Sequence, residues 1–100
     1  MAFDANWNDP NEFCATCRSR TGTLMQLAVL DLSVRGCMVE RRAWGVKAED
    51  HILIRLPGLS YQPADVLWVE EDVVGIAFDQ PIYEPVLAHL LQRLNLRKSA

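Results

Sequence analysis

The sequence predicts an antiparallel β-barrel or β-sandwich covered by one C-terminal helix. About six short apolar stretches are separated by turn residues. After the last of them the spacing of the apolar residues changes from the period of two of a strand to the period of a helix. Half of the 100 residues are apolar, which is enough for one core without metal or disulfides. A barrel of this length would be filled by its own side chains, and the helix would lie on it or across one end.

Turn residues separate the predicted strands. Gly22 supplies the positive φ of a hairpin turn, and Pro57-Gly58 ends the fourth strand. The second strand is apolar at nearly every position, which is typical of a strand buried on both faces. The polar segment 41–50 is a loop from which Trp44 folds back onto the core. The predicted strands cover residues 12–20, 24–32, 37–40, 51–56, 62–70 and 73–79.

Alternation along the later strands assigns side chains to faces. In the fifth strand Val66 and Trp68 share one face, and we expect Trp68 to lie in the core together with Phe78 of the sixth strand. Gly75, on the opposite face of the sixth strand, predicts a close approach or a bend. In the fourth strand Ile52, Ile54 and Leu56 share one face, and in the sixth strand Val74 and Ile76 are aligned with Phe78.

The C-terminal segment has a helical pattern. Pro85 suits the first turn of a helix, with Glu84 at its cap. His89, Gln92 and Arg93 lie away from the apolar side. One apolar stripe is formed by Val86, Leu87, Leu90, Leu91 and Leu94.

The segment from Asp31 to Cys37 carries the most chemistry. Asp31, Ser33, Arg35 and Gly36 combine a carboxylate, a hydroxyl, a cation and a glycine at the end of an apolar strand. The carboxylate can accept hydrogen bonds from a base edge, the hydroxyl can serve a phosphate or a base atom, and glycine lets the backbone approach closely. The alternative is a strand-ending turn, in which Asp31 and Ser33 bond nearby backbone and Gly36 takes a positive φ.

Charge is distributed unevenly along the chain. The net charge is −3, which argues against a general nucleic-acid binder. Residues 18–42 nevertheless hold an excess of three positive charges, which suits one compact anion, although a solvated face would have the same composition. The arginines of this segment are Arg18, Arg20, Arg35, Arg41 and Arg42.

Three ordered motifs resemble the PilZ domain family. Residues 31–36 match its Asp/Asn-x-Ser-x-x-Gly motif, residues 64–69 resemble its small-x-Val-x-Trp strand, and residues 74–81 resemble its Gly-Ile-x-Phe strand. A closing helix follows in both. The resemblance covers roughly residues 12–96 and implies a six-stranded antiparallel PilZ-like β-barrel.

The resemblance also implies a bacterial receptor for the second messenger cyclic di-GMP. Asp31, Ser33 and Gly36 map onto the family motif. The family's Arg-x-x-x-Arg motif is missing, so Arg18 and Arg20 are cation candidates only by type and neighbourhood, with Arg35 as a further one. Arginine suits this dianion because its guanidinium can hold guanine or phosphate bidentately and can also stack.

Two functional hypotheses follow from these residues. The first is a stand-alone, non-catalytic, cytoplasmic receptor or adaptor that relays cyclic di-GMP binding to an unidentified effector protein. The second is a PilZ-like protein-interaction module that has lost nucleotide binding, as the missing arginine motif suggests. Neither hypothesis requires a cofactor, a metal, DNA or RNA, or a membrane span, and we expect no enzyme activity. We expect a flexible arm over residues 1–11, the domain over 12–96 and a tail over 97–100.

Cysteine chemistry is a third, remote alternative. Cys14 and Cys17 have a redox or zinc spacing, but side chains three positions apart on a strand diverge. A zinc site also needs four ligands, and Cys37, His51 and His89 show no matching spacing. Two unrelated thiols are the simpler interpretation.

Overall fold

The fold is a closed barrel with one helix. A computed structural model describes residues 13–99, with side chains through residue 94. Within this range the prediction of six antiparallel strands followed by one helix is confirmed. The elements are β1 (Cys14–Arg18), β2 (Leu24–Leu32), β3 (Gly36–Glu40), β4 (His51–Arg55), β5 (Gln62–Val69), β6 (Val73–Phe78) and α1 (Glu84–Ser99).

Helix α1 continues past residue 96, where the tail was expected to begin. The predicted arm over residues 1–11 lies outside the described residues. No helix within residues 13–99 combines the length and the apolar character that crossing a bilayer requires.

The strands are ordered β1-β2-β3-β6-β5-β4 around the barrel, and β4 pairs back onto β1. The β1–β2 hairpin turns at Gly22, whose φ of 93° is in the left-handed region, as predicted. Gly58 has a φ of 81° in the turn after β4. The loop after β3 returns Trp44 to the core, where it is buried.

The core fills the barrel interior and extends under α1. Strand β4 follows the predicted alternation, since Ile52 and Ile54 are buried whereas His51, Leu53 and Arg55 are exposed. Full burial of a large aliphatic side chain contributes about 1.5–3 kcal/mol. The largest fully buried aliphatic side chains are Leu27, Val29, Val39, Ile54, Leu56, Val66, Val74, Ile76, Leu90 and Leu94.

Strand β2 contains a β-bulge at Leu30. Val29 pairs with Val39 and Asp31 with the neighbouring Met38, so two steps along β2 match one along β3. A period of two from buried Val29 would point Asp31 into the barrel, but the extra residue directs it outward and Leu32 inward. The bulge therefore exposes the carboxylate.

A second bulge, at Leu67 in β5, corrects a prediction. Val66 pairs with Ile76 and Trp68 with Gly75, so Leu67 is the extra residue. Val66 is buried, whereas Trp68 is 36% exposed. The expectation that Trp68 shares the core face of Val66 is therefore wrong, because the bulge turns the indole to the outside.

Candidate ligand-binding groove

The two bulges border one surface groove, which we call the motif groove. It lies on the outside of the barrel, over the end of β2, the start of β3 and the adjoining parts of β5 and β6. Its volume is about 470 Å³. The lining residues are Asp31, Leu32, Ser33, Arg35, Gly36, Cys37, Met38, Leu67, Trp68, Gly75, Ile76 and Ala77.

The carboxylate of Asp31 stands exposed at the rim of the motif groove. Its Oδ1 accepts a hydrogen bond from the backbone N–H of Leu32 at 2.9 Å. Its Oδ2 has no hydrogen-bond partner among residues 13–94. One carboxylate oxygen therefore holds the side chain in place while the other can accept from a ligand.

Ser33 and Gly36 close the turn between β2 and β3. The Ser33 N–H donates to the Gly36 carbonyl at 2.8 Å, and the Ser33 hydroxyl donates to the same carbonyl at 3.3 Å. The hydroxyl also accepts from the Arg35 N–H at 3.4 Å. These contacts are those of the strand-ending turn, so the hydroxyl serves the backbone in this conformation.

Gly36 is required for close packing rather than for an unusual φ. It is not among the glycines in the left-handed region, contrary to the positive φ that the turn interpretation assigned to it. A Cβ at this position would lie 2.1 Å from the backbone oxygen of Ile76 in β6. The turn is further tied to the barrel by the N–H of Phe78, which donates to the Arg35 carbonyl at 2.8 Å.

Trp68 also lines the motif groove. A Cβ built on Gly75 would lie 2.3 Å from Cε2 of the indole, so the ring rests directly on the glycine backbone. The indole remains partly exposed, and the neighbouring Leu67 is 57% exposed. A partly exposed indole seated on a strand is a rigid surface on which a flat ring can stack.

The predicted cations do not gather around the motif groove. Arg35 lines it, and its guanidinium has no hydrogen-bond or ion-pair partner among residues 13–94. Arg18 pairs with Leu24 at the far end of β2, about 20 Å along the strand from Asp31. Arg20 lines a different groove, next to Trp44 and His51. The length of β2 therefore separates Arg18 and Arg20 from the motif.

The two thiols with a redox or zinc spacing lie on opposite faces of β1. Cys14 and Cys17 alternate on β1, with Cys17 buried in the barrel and Cys14 half-buried on the other face. Burial raises the pKa of the Cys17 thiol to about 12. Burial, together with neighbouring Cys17, also raises the pKa of Cys37. Among the described residues no three His, Cys, Asp or Glu side chains lie close enough together to hold a metal ion.

Comparisons with known proteins leave the chain without a family assignment. No protein-family model, no curated protein and no solved structure matches it. The interpretation of the motif groove therefore depends on its own residues and on the sequence resemblance.

Sequence reasoning missed the apolar half of the motif groove. Trp68 was expected in the core, and Leu67 and Met38 were not singled out. One signal was available: Gly75 lies opposite a large aromatic residue in the neighbouring strand, and such a glycine can seat that ring.

Proposed function

We propose that this chain is a non-catalytic PilZ-type receptor that binds cyclic di-GMP in the motif groove and relays binding to a partner protein. The observation that carries the proposal is that Trp68 lines the same groove as Asp31 and Arg35. A carboxylate, a guanidinium and an indole are the three groups that recognise one guanine by its edge and its face.

Each group would have a distinct role. Asp31 Oδ2 would accept from the N1–H and N2–H donors of guanine, which adenine does not offer. Trp68 would stack against the base, an interaction worth about 1–3 kcal/mol. Arg35 would hold the O6/N7 edge or a phosphate with its N–H donors. Ser33 and Gly36 would keep the turn in shape.

The cation content predicts a weak receptor. Arg35 is the one guanidinium among the described lining residues, whereas the ligand is a dianion. Each missing charge-assisted hydrogen bond lowers affinity by one to two decades, about 1.5–3 kcal/mol. One unreplaced bond of this kind would therefore raise the Kd about ten- to a hundredfold relative to a receptor that carries the full arginine motif.

Titration calorimetry with cyclic di-GMP tests the proposal, with cyclic di-AMP as the ligand of equal charge and backbone. We expect saturable heat with cyclic di-GMP and none with cyclic di-AMP. Asp31→Asn and Trp68→Ala should abolish binding. Arg35→Gln should weaken binding. Its matched controls are Arg18→Gln and Arg20→Gln, which remove the same charge away from the groove and should bind as wild type. No heat with cyclic di-GMP at millimolar concentration would refute the receptor.

Two observations favour a second candidate, the protein-interaction module without nucleotide binding. The Ser33 hydroxyl is engaged by its own turn, and the groove presents the apolar side chains of Leu67, Trp68 and Met38. Exposed apolar side chains gathered in one place suit a protein partner. A silent cyclic di-GMP titration of the folded chain would leave this candidate as the better account.

A further inference from the structure

Another groove lies away from the motif, over β1, β2, β4 and helix α1. We call it the arginine groove. Its volume is about 630 Å³. The lining residues are Cys14, Thr16, Gln26, Arg42, Arg55, Leu56, Pro57, Gly58, Leu59 and Arg93. It contains three arginines and no carboxylate among the described lining residues, on a chain whose net charge is −3.

The three guanidiniums come from three separate segments. Arg55 is an outward-facing residue of β4, Arg93 lies on α1, and Arg42 lies in the loop after β3. Arg42 adopts a φ of 50°, in the left-handed region that side chains rarely occupy. Arg93 lies 38 positions after Arg55 in the chain, and Arg42 lies 13 positions before it. Only the tertiary fold therefore brings the three arginines to one groove.

Aromatic rings hold two of the guanidiniums in position. The Arg55 Cζ lies 5.1 Å from the centre of the Tyr61 ring, and the Arg93 Cζ lies 5.7 Å from that of Phe13. Neither guanidinium donates a hydrogen bond or forms an ion pair within residues 13–94. A contact with a ring uses the positive charge and leaves the N–H donors for an acceptor oxygen.

The third guanidinium is partly neutralised. The Arg42 Nε lies 3.3 Å from Oε1 of Glu40, and both side chains are exposed. Such a surface pair is weak, so an incoming anion can compete for Arg42. The neutral polar groups of Thr16 and Gln26, which are cross-strand partners in β1 and β2, complete this side of the groove.

We propose that the arginine groove binds a small molecule through two linked phosphoryl groups. Two unpaired guanidiniums supply up to ten N–H donors in fork geometry, which suits the oxygens of a diphosphate better than a single charge. Three arginines share one groove on an acidic protein, which favours a compact anion over a nucleic acid. This inference does not depend on cyclic di-GMP binding, because the arginine groove and the motif groove share no lining residue.

Calorimetric titration with inorganic pyrophosphate, at constant ionic strength, tests this inference, with inorganic phosphate as the comparison. We expect pyrophosphate to bind at least about tenfold more tightly than phosphate, because it can engage both unpaired guanidiniums. Arg55→Gln and Arg93→Gln should each lower the affinity for pyrophosphate about tenfold or more, and Arg55→Lys should lower it less. Arg18→Gln, which removes an exposed arginine outside the groove, should bind as wild type.

The contrary results are equally specific. Equal affinities for pyrophosphate and phosphate, or wild-type binding by the folded Arg55→Gln and Arg93→Gln variants, would overturn the inference. Trp68→Ala separates the two sites: it should abolish cyclic di-GMP binding and leave pyrophosphate binding unchanged. A loss of pyrophosphate binding in Trp68→Ala would contradict an independent site.

Discussion

Strands β4 and β5 are hydrogen-bonded neighbours, yet only one of them follows a strict period of two. In β4 the alternation is unbroken, and every second side chain is buried. In β5 it holds as far as Val66, after which Leu67 and Trp68 both face outward. The regular strand β4 forms part of the barrel wall, and its buried side chains belong to the core. The bulged strand contributes an aromatic side chain to a surface groove, at the cost of one unmatched residue.

Strand β2 also contains a bulge that exposes a side chain at the motif groove. Its bulge at Leu30 brings Asp31 to the surface, and the bulge in β5 brings Trp68 there. Two departures from periodicity therefore meet at one place. Regular alternation builds this barrel, and the two irregularities expose side chains that line the motif groove.

Single-residue deletions give the largest contrast between the two strands. Deleting Leu53 from β4 would turn Ile54 outward and Arg55 inward, which buries an unpaired cation. We expect a loss of more than about 4 kcal/mol, enough to prevent folding. Deleting Leu67 from β5 removes the unmatched residue and leaves the inward set unchanged, so the loss should stay below about 2 kcal/mol. Urea denaturation of the two variants measures the difference. Equal losses would contradict the bulge assignment.

Gly36→Ala should have the next largest effect. The new methyl group would meet the Ile76 backbone oxygen, and backbone cannot move aside cheaply. We expect the free energy of unfolding to fall by about 1–3 kcal/mol. Gly45→Ala is the matched control, since nothing lies within 4 Å of a Cβ there and its φ is not in the left-handed region. Thermal denaturation should leave that control within about 1 kcal/mol of wild type or slightly more stable.

Gly75→Ala should affect the motif groove more than the fold. The added Cβ would collide with the Trp68 ring, which can swing outward because it is partly exposed. We expect a stability loss of about 1 kcal/mol or less and a red-shifted Trp68 emission, assigned by subtracting the spectrum of Trp68→Phe. An unchanged emission spectrum would mean that the indole does not rest on Gly75.

The thiols of β1 should differ in reactivity according to their faces. Cys17 is buried and its pKa is raised to about 12, whereas Cys14 is half-buried, so at pH 8 a thiol reagent should modify Cys14 first. Because the pKa of Cys17 is raised in the folded protein, this thiol does not lower stability below the ordinary pKa near 9. As pH rises from 9 towards 12 the free energy of unfolding should fall, because the thiol ionises more readily in the unfolded chain. Labelling followed by mass spectrometry, and denaturation at pH 8 and 10.5, check both statements. Equal labelling of Cys14 and Cys17 in the folded protein would contradict the barrel interior assigned to Cys17.

Much of the barrel could be predicted because hydrophobic periodicity reports which face is buried. The alternation of β4 and the stripe of α1 ending in Leu90 and Leu94 were readable. The expected burial of β2 on both faces holds only for the run from Leu27 to Val29, since Leu24 is 57% exposed. Trp44 was also expected in the core, because a lone tryptophan in a polar loop has few other ways to leave water.

Only part of the motif groove could be predicted from the sequence. Residues 31–36 were identified by their chemistry, but a bulge depends on the register of a neighbouring strand, which one strand's sequence does not contain. Trp68 was therefore assigned to the wrong face. Arg18 and Arg20 looked close to Asp31 in the chain, yet a nine-residue strand carries them apart. The arginine groove joins Arg42, Arg55 and Arg93 through tertiary contacts alone.

Nuclear magnetic resonance tests most directly the claim that the two bulges build a recognition surface. In ¹H–¹⁵N correlation spectra recorded during a cyclic di-GMP titration, we expect saturable shifts of the Trp68 indole N–H and of the backbone amides of Arg35, Gly36 and Met38. The hairpin around Gly22, where Arg18 and Arg20 lie, should stay unchanged. Unperturbed Trp68 and Gly36 signals at millimolar ligand, or shifts confined to that hairpin, would contradict the account.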